Sequence, residues 1–225
     1  AVAEKVIELS GKPLLWGRSE DTLTALTNQL GLDLNHFSVV DLTDEDSIKK
    51  SIATLGQIDG LVLSAGTLKI LPLKMYKSKY FDDVFSLNVK ANFYLVSHLL
   101  RQRKFNNPAS IVGISSVSST QSFLGSSLYS ASKAALNALI KSVAIEAGAD
   151  KVRANSVIAG MVKTHLTQNV NQNYVRNHAK NSLLGLGDVE SIADAVSFLL
   201  SDNSRWITGT DLFVDGGYSM YKPST

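Results

Sequence analysis

Short apolar runs alternate with longer helical patterns along the 225-residue chain, and this alternation constrains its fold more than any other feature. The runs are continuously apolar, which is typical of strands that are covered on both faces of a parallel sheet. The helical patterns between them supply the crossover connections that parallel strands need. Strands are predicted over residues 13–16, 37–40, 58–63, 111–114, 152–157 and 212–214. The pattern predicts an α/β fold with a single domain, built on a doubly wound parallel sheet of the Rossmann kind.

Helix signals occupy the intervals between these strands. Gly11 ends the first helix, and Ser19 is placed to cap the second, which carries Glu20 and Asp21 in its first turn. Helices are predicted in the first ten residues and over residues 20–30, 44–55, 79–103, 127–149 and 189–200, and one or two helices are predicted over 166–181. In doubly wound sheets, ligands bind beyond the carboxyl ends of the strands, so the residues that follow each strand are the candidates for a site.

Tyr129 and Lys133 are four residues apart in the helix that follows the apolar strand at 111–114. At that spacing the two side chains share one helix face. A phenol has a pKa of about 10, and a nearby ammonium favours the phenolate and lowers that value. A tyrosine tuned in this way can exchange a proton with a substrate oxygen, and Ser116 at the end of the strand could hold the same oxygen. Tyr-x-x-x-Lys alone is common on solvated helices, so the prediction depends on the whole strand, serine, loop and helix arrangement.

With these residues, the stretch from Ser110 to Ala134 resembles the short-chain dehydrogenase/reductase family, whose signature is a serine followed after a loop by Tyr-x-x-x-Lys. Ser116 lies thirteen positions before Tyr129, as in the family, and is preferred over Ser115 for that reason. The resemblance implies an NAD(P)-dependent enzyme that interconverts a ketone and a secondary alcohol.

The resemblance also implies the catalytic roles. Tyr129 is the general acid for carbonyl reduction, or the base for alcohol oxidation, and Ser116 hydrogen-bonds the substrate oxygen. Lys133 lowers the pKa of Tyr129 and holds the nicotinamide ribose. Asn88, which lies inside a predicted helix where asparagine is unfavourable, supports a proton relay to the lysine. Asn92 is the alternative for this last role.

A cofactor site is implied at the ends of several strands. Arg18 follows the second strand of the family pattern, where an acidic residue binds the ribose hydroxyls of NAD and an arginine accommodates the 2′-phosphate of NADP. Because Gly17 stands in the acidic position, Arg18 and Ser19 favour NADP(H) over NAD(H). The other implied cofactor contacts are Asp41, Leu42, Ser64, Ala65, Gly66, Tyr129, Lys133, Gly160, Val162 and Thr164. The sequence departs from the family at Ser64, where an asparagine is usual, and at Ala159, where a proline is usual.

The family pattern begins with a strand and a Gly-rich turn that meets the pyrophosphate, whereas this sequence begins inside the first helix. We expect about fifteen to twenty further residues before Ala1, the length of one strand and its turn. That strand lies in the middle of the family's sheet, so without it two neighbouring strands are expected to lack a partner.

Composition excludes several other classes of function. The 22 basic and 20 acidic residues nearly cancel, which gives no electrostatic case for nucleic acid. Without cysteine there are no disulfides, thiolate nucleophiles or cysteine metal sites. No apolar run reaches about 18 residues and no signal peptide is visible, so a cytoplasmic protein is expected. No metal is predicted, since the histidines lack metal-ligand spacing and are interpreted as structural or surface residues: His36, His98, His165 and His178.

The substrate is predicted only as a small carbonyl or alcohol compound. The expected pocket walls are residues 121–124 and 165–184. The polar second wall suits a polar substrate or the solvent face of a mobile lid, and the lid is the preferred interpretation. A 3-oxoacyl thioester is the first specific expectation from the resemblance, and a sugar or small polyol is the next. A homodimer or homotetramer is expected through the helices at 79–103 and 128–149. The alternative is a catalytically silent relative that acts as a binding or partner subunit.

Overall fold

A computed structural model describes residues 1–162, 164 and 172–220. The strands are β1 (Leu15–Gly17), β2 (Phe37–Val39), β3 (Ile58–Leu63), β4 (Phe105–Ser116), β5 (Val152–Ala159) and β6 (Asp211–Val214). The helices are α1 (Val2–Glu8), α2 (Glu20–Gln29), α3 (Glu45–Thr54), α4 (Ser78–Phe85), α5 (Ala91–Arg101), α6 (Ser127–Glu146), α7 (Gln172–Asn181) and α8 (Val189–Leu200). Within these residues, no helix is long and apolar enough to cross a membrane.

The strands pair in parallel throughout the described chain. β1 pairs with β2, and β3, β4, β5 and β6 form a second sheet in that order. The described strands make no ladder between β1 and β3. Trp16 from β1 and Leu61 from β3 nevertheless pack against the same apolar cluster.

Helices cover both faces of the sheet. On β4, the fully buried Ile111 packs in a cluster with Leu99 of α5 and Ile140 of α6. Its neighbour Val112, also fully buried, packs on the opposite face with Leu199 of α8. Successive residues of a strand point to opposite faces, so these two clusters lie on the two sides of the sheet. The predicted doubly wound α/β fold is confirmed.

Two predicted elements differ from the structure. The helix predicted over 79–103 is divided by a π-helical turn at Ser86–Lys90, which separates α4 from α5. The central strand begins at Phe105 instead of residue 111, because β4 pairs with β3 from Phe105 and with β5 from Ala109. Phe105 lies opposite Ile58 of β3, and Ala109 lies opposite Val152 of β5. The part of the predicted 166–181 helix before residue 172 lies outside the described residues.

Candidate active site

A cavity of about 290 Å³ opens at the carboxyl ends of the central strands. Ser64 follows β3, Ser116 ends β4 and Gly160 follows β5, and all three residues line the cavity. The first turns of α6 bring Tyr129 and Lys133 into the same walls. The parallel topology therefore assembles the Ser, Tyr and Lys side chains that the sequence predicts as one site.

Ser116 is the serine that faces the phenol of Tyr129. A hydrogen bond with Ser116 acts on the Tyr129 phenol and lowers its pKa. Ser116 Oγ also lies 3.2 Å from Ser118 Oγ and accepts the backbone N–H of Ser118 at 3.1 Å. Ser115 Oγ instead donates to the backbone oxygen of Lys133 at 3.4 Å. The geometry thus favours Ser116 over Ser115 as the group that shares a substrate oxygen with Tyr129.

Burial dominates the protonation of Tyr129 and Lys133. Burial raises the pKa of Tyr129 above its usual value of 10, and the hydrogen bond with Ser116 opposes this only in part. Burial lowers the pKa of Lys133 to about 8. Lys133 Nζ lies 5.9 Å from the Tyr129 ring centroid and donates to the backbone oxygen of Ile114 at 2.8 Å. In this arrangement desolvation of the phenol is the largest effect on the pKa of Tyr129, and the lowering of that pKa by Lys133 stays a prediction.

Asn88 lies in the π-helical turn behind the cavity and is fully buried. Its Oδ1 accepts the backbone N–H of Thr67 at 2.8 Å, and its Nδ2 donates to the Thr67 carbonyl at 3.0 Å and to Ser132 Oγ at 2.9 Å. Ser132 Oγ in turn donates to the backbone oxygen of Tyr129 at 2.7 Å. The side chain of Asn92 donates to the Asn88 carbonyl at 2.8 Å. Asn88, rather than Asn92, therefore joins the loop after β3 to the helix that carries Tyr129.

Besides Tyr129 and Lys133, five of the residues predicted to bind a cofactor line the cavity: Ser64, Gly66, Gly160, Val162 and Thr164. Gly66 allows a close approach of the backbone, because a Cβ there would lie 3.3 Å from Asn88 Oδ1 and 3.5 Å from Lys133 Nζ. In the described chain the Lys133 ammonium uses one hydrogen bond, to Ile114, while it carries three donors. A buried ammonium with donors facing this cavity fits the hydroxyls of a nicotinamide ribose.

The remaining predicted cofactor residues lie outside the walls of this cavity. Arg18 and Ser19 follow β1, and Asp41 and Leu42 lie just after β2, while Ala65 lies between two cavity residues. Ser19 Oγ caps α2 by accepting the backbone N–H of Thr22 at 3.3 Å. The predicted cap is thus present, and Arg18 stands beside the N-terminus of a helix.

Asp41 is held by its own turn. Its Oδ1 accepts from the hydroxyl of Thr43 at 2.6 Å and from the backbone N–H of Thr43 at 2.8 Å. These two hydrogen bonds lower the pKa of Asp41, and Arg18 adds a weaker attraction. The carboxylate and the guanidinium are therefore close enough to interact across the ends of β1 and β2.

Three residues of this region were missed by the sequence interpretation. Ser132 binds Asn88 through its hydroxyl, and Thr67 binds it through its backbone N–H and carbonyl. Neither contact can be recognised from a sequence pattern. His178 was interpreted as a structural or surface residue, but it is only 4% exposed and lines the cavity. Burial lowers the pKa of His178 to about 4.

Comparisons with known proteins agree with this geometry. A family model described as Enoyl-(Acyl carrier protein) reductase matches residues 1–219. The 3-oxoacyl-(acyl-carrier-protein) reductase FabG of Rickettsia bellii (strain RML369-C) is 33% identical over 222 residues, which cover 98% of this chain and 91% of that protein. Carbonyl reductase (NADPH) 2 of Sus scrofa is 31% identical over 184 residues, 80% of this chain and 75% of that protein. The structure of a short-chain type dehydrogenase/reductase from Mycobacterium ulcerans superposes with a TM-score of 0.89 at 28% identity, and covers 98% of this chain and 85% of that one.

Proposed function

Since this chain belongs to the short-chain dehydrogenase/reductase family, we propose that it is an NADP(H)-dependent reductase of 3-oxoacyl thioesters. The observation that carries the proposal is the meeting of Ser116, Tyr129 and Lys133 in the walls of one cavity. The curated relatives with 31–33% identity that carry a 3-oxoacyl reductase name support the substrate class.

The chain's own residues act on the carbonyl oxygen. NADPH held in this site would supply the hydride for the carbonyl carbon. Tyr129 transfers its phenolic proton to the carbonyl oxygen, which completes the secondary alcohol. The raised pKa of Tyr129 keeps the phenol protonated at neutral pH, which suits a general acid. Ser116 donates a hydrogen bond to the same oxygen and stabilises its developing charge. The phenolate that remains is stabilised by the Lys133 ammonium until solvent returns the proton.

Apolar side chains around the cavity support an acyl substrate. Ile70, Phe123, Met161 and Val162 line it beside the polar residues. Apolar walls favour burial of a hydrocarbon chain, while the few polar groups converge on one oxygen. This arrangement suits a 3-oxoacyl chain better than a sugar or polyol, whose hydroxyls would need additional polar partners.

Arg18 supports the preference for NADP(H). A guanidinium pairs with the 2′-phosphate through charge-assisted hydrogen bonds. Ser19 and the N-terminus of α2 lie beside it, and helix N-termini favour anions. The carbonyl reductase that is 31% identical also carries NADPH in its name. An acidic residue at position 17 would bind the ribose hydroxyls of NAD, but this chain has Gly17 there and so has no carboxylate at that position.

The test is oxidation of NADPH by the purified full-length protein in the presence of a short 3-oxoacyl thioester. We expect turnover with NADPH, and a loss of about 10²–10⁴-fold in Tyr129→Phe with NADPH binding retained. Tyr94→Phe is the matched control, because Tyr94 lies in α5 and packs on the apolar cluster away from the cavity. NADPH binding without turnover on any oxoacyl thioester would overturn the proposed substrate. Failure to bind either nicotinamide cofactor would favour a catalytically silent partner subunit.

We also propose that the protein forms homodimers or homotetramers through α4, α5 and α6. These helices present large apolar side chains to solvent, among them Phe81, Phe93 and Ile145. Sedimentation analysis of the wild type and of Phe93→Glu tests this. A lower assembly state is expected for the variant, and unchanged sedimentation would contradict the assignment of these helices to the interface.

A further inference from the structure

His178 joins α7 to the loop that follows β5. Its Nε2 lies 3.2 Å from the backbone nitrogen of Met161, whose N–H donates to it. Met161 stands between Gly160 and Val162, and these three residues and His178 all line the cavity. A side chain of α7 therefore fixes the backbone of a segment that forms the cavity wall.

Tyr218 holds the same imidazole from the C-terminal turn. The two rings are stacked, with centroids 3.7 Å apart and planes 11° from parallel. The turn is itself ordered by Asp215, whose carboxylate accepts the backbone N–H groups of Gly217 at 2.9 Å and Ser219 at 2.8 Å. The ring of His178 is thus fixed on its edge by Met161 and on its face by Tyr218.

The end of α7 packs against that turn with little free space. Ser182 Oγ lies 3.0 Å from the Gly216 carbonyl oxygen, and the backbone N–H of Leu184 donates to that oxygen at the same distance. A Cβ on Gly216 would come within 2.6 Å of Ser182 Oγ, and Gly216 has a φ of +60°. Glycine is required here by both the contact and the left-handed backbone. We call this set of contacts between residues 178–184 and 215–220 the C-terminal clasp.

The hydrogen bond to Met161 requires a neutral imidazole. Nε2 can accept an N–H only through its lone pair, so the ring proton of neutral His178 must lie on Nδ1. Protonation would place a second hydrogen between Nε2 and the Met161 amide. Of the charged groups, Asp215 attracts the protonated form, but burial outweighs that attraction and keeps the pKa at about 4. The imidazole is therefore neutral at physiological pH, and its acceptor is available.

We propose that His178 is a positioning residue for the reductase reaction, because it fixes the cavity wall at residues 160–162 through the Met161 amide. The inference rests on the proposed function, since the wall that it fixes belongs to the same cavity as Ser116 and Tyr129. His178 takes no part in proton transfer, and its contribution is to the binding of the substrate and of the cofactor, whose predicted contacts Gly160 and Val162 lie in the same wall. Its removal is expected to raise KM much more than it lowers kcat.

Two substitutions distinguish the hydrogen-bond acceptor of His178 from its aromatic ring. His178→Phe keeps an aromatic ring that can stack on Tyr218 but has no acceptor, and His178→Gln keeps a side-chain acceptor without the ring. For the oxoacyl thioester, we expect His178→Phe to raise KM about 5- to 20-fold, the effect of one lost hydrogen bond, with kcat within about twofold. His178→Gln is expected to keep KM within about threefold of the wild type. Equal KM values in the wild type and His178→Phe, or equal losses in the two variants, would overturn the proposal.

A second readout does not depend on catalysis. Amide hydrogen exchange at Met161 in the full chain is expected to be about tenfold faster in His178→Phe than in the wild type and nearly unchanged in His178→Gln. If the wild type shows no turnover, the proposed function fails, and the exchange measurement still decides the role of His178. If His178→Phe does not fold, the wild type carries the test by NMR. The Met161 amide shift is expected to titrate together with the His178 ring near pH 4, and independent titration would overturn the proposal.

Discussion

Lys133 Nζ lies 5.9 Å from the ring centroid of Tyr129, and its hydrogen bond goes to the backbone oxygen of Ile114. The ammonium therefore acts on the phenol through space. Burial raises the pKa of Tyr129 and lowers that of Lys133 to about 8, so both groups are protonated at neutral pH. The lysine charge is most favourable after the proton has left, when it faces a phenolate in a buried site.

The first prediction concerns the alkaline limb of the rate. Lys133 is charged below its pKa of about 8 and neutral above it. Because the phenolate needs that charge, kcat/KM for reduction should fall as pH rises through about 8, which is the free-enzyme value. In Lys133→Arg the side chain stays charged at every accessible pH. The alkaline decrease in kcat/KM should therefore move to higher pH, even if the variant is slower at every pH. A pH profile of kcat/KM measures this, and an unmoved limb in the variant would assign it to another group.

Lys133 is also expected to destabilise the fold. Its pKa is about 8 in the folded chain and 10.5 in the unfolded one, so the buried charge costs about 3 kcal/mol below pH 8. Lys133→Met removes this cost together with the hydrogen bond to Ile114, which offsets about 1 kcal/mol of the gain. The variant should gain about 2 kcal/mol in urea unfolding at pH 7. Wild-type stability should rise between pH 8 and 10.5 relative to the variant, and parallel curves would contradict the buried charge.

Arg18 is predicted to select the cofactor. Arg18→Ala removes a charge-assisted contact to the 2′-phosphate, worth about 1.5–3 kcal/mol, so NADPH affinity should fall about 10- to 100-fold. NADH has no such phosphate and should keep its affinity within about threefold. Fluorescence titration with each cofactor gives both values. Arg205→Ala is the matched control, because Arg205 is an exposed arginine outside the predicted cofactor residues. If Arg18→Ala lowers the affinity for NADPH and NADH by the same factor, Arg18 does not bind the 2′-phosphate.

Ser132 is predicted to position Asn88. Ser132→Ala leaves the buried Nδ2 of Asn88 without one of its two acceptors, which costs about 1–3 kcal/mol of stability. The loss frees Asn88 from the helix that carries Tyr129, so kcat should fall about three- to tenfold with KM nearly constant. Ser130→Ala is the control, since Ser130 is a buried serine of the same helix whose hydroxyl contacts Ser126. If both variants lose the same fraction of kcat, the effect of Ser132 is one of helix packing alone.

The sequence predicts those features of the fold that the residue pattern of a single strand or helix determines. The apolar run at 111–114 identifies the central strand, and the four-residue spacing of Tyr129 and Lys133 identifies one helix face. Both follow from local periodicity. The placement of Ser116 beside Tyr129 follows as well, since the end of the strand and the start of the next helix meet at one edge of the sheet.

Other features depend on contacts between distant segments and are not readable from local pattern. The π-helical turn at Ser86–Lys90 surrounds Asn88, whose partners lie in the loop after β3 and in α6. The strand before residue 111 is polar and contains a proline, and it forms because both neighbours pair with it. The role of His178 depends on a backbone N–H, which every residue except proline possesses, so no residue pattern marks it.

The last prediction is a loss of stability in acid that comes from His178. The pKa of this residue is lowered from 6.5 to about 4 in the folded chain, so the unfolded chain takes up its proton first as the pH falls. Stability is therefore fully present above pH 6.5 and declines as pH falls towards 4, by up to about 3 kcal/mol from this group alone. In His178→Gln the group that titrates is absent, while Asp215 and the other carboxylates remain. The free energy of unfolding of both proteins is measured with urea at a series of pH values. The two values should converge as the pH falls from 6.5 to 4, because only the wild type contains an imidazole that stays neutral in the folded state while it is protonated in the unfolded state. A constant difference between the two proteins would show that His178 has the same pKa in the folded and unfolded chains. That result would contradict a buried, neutral imidazole that accepts the Met161 N–H.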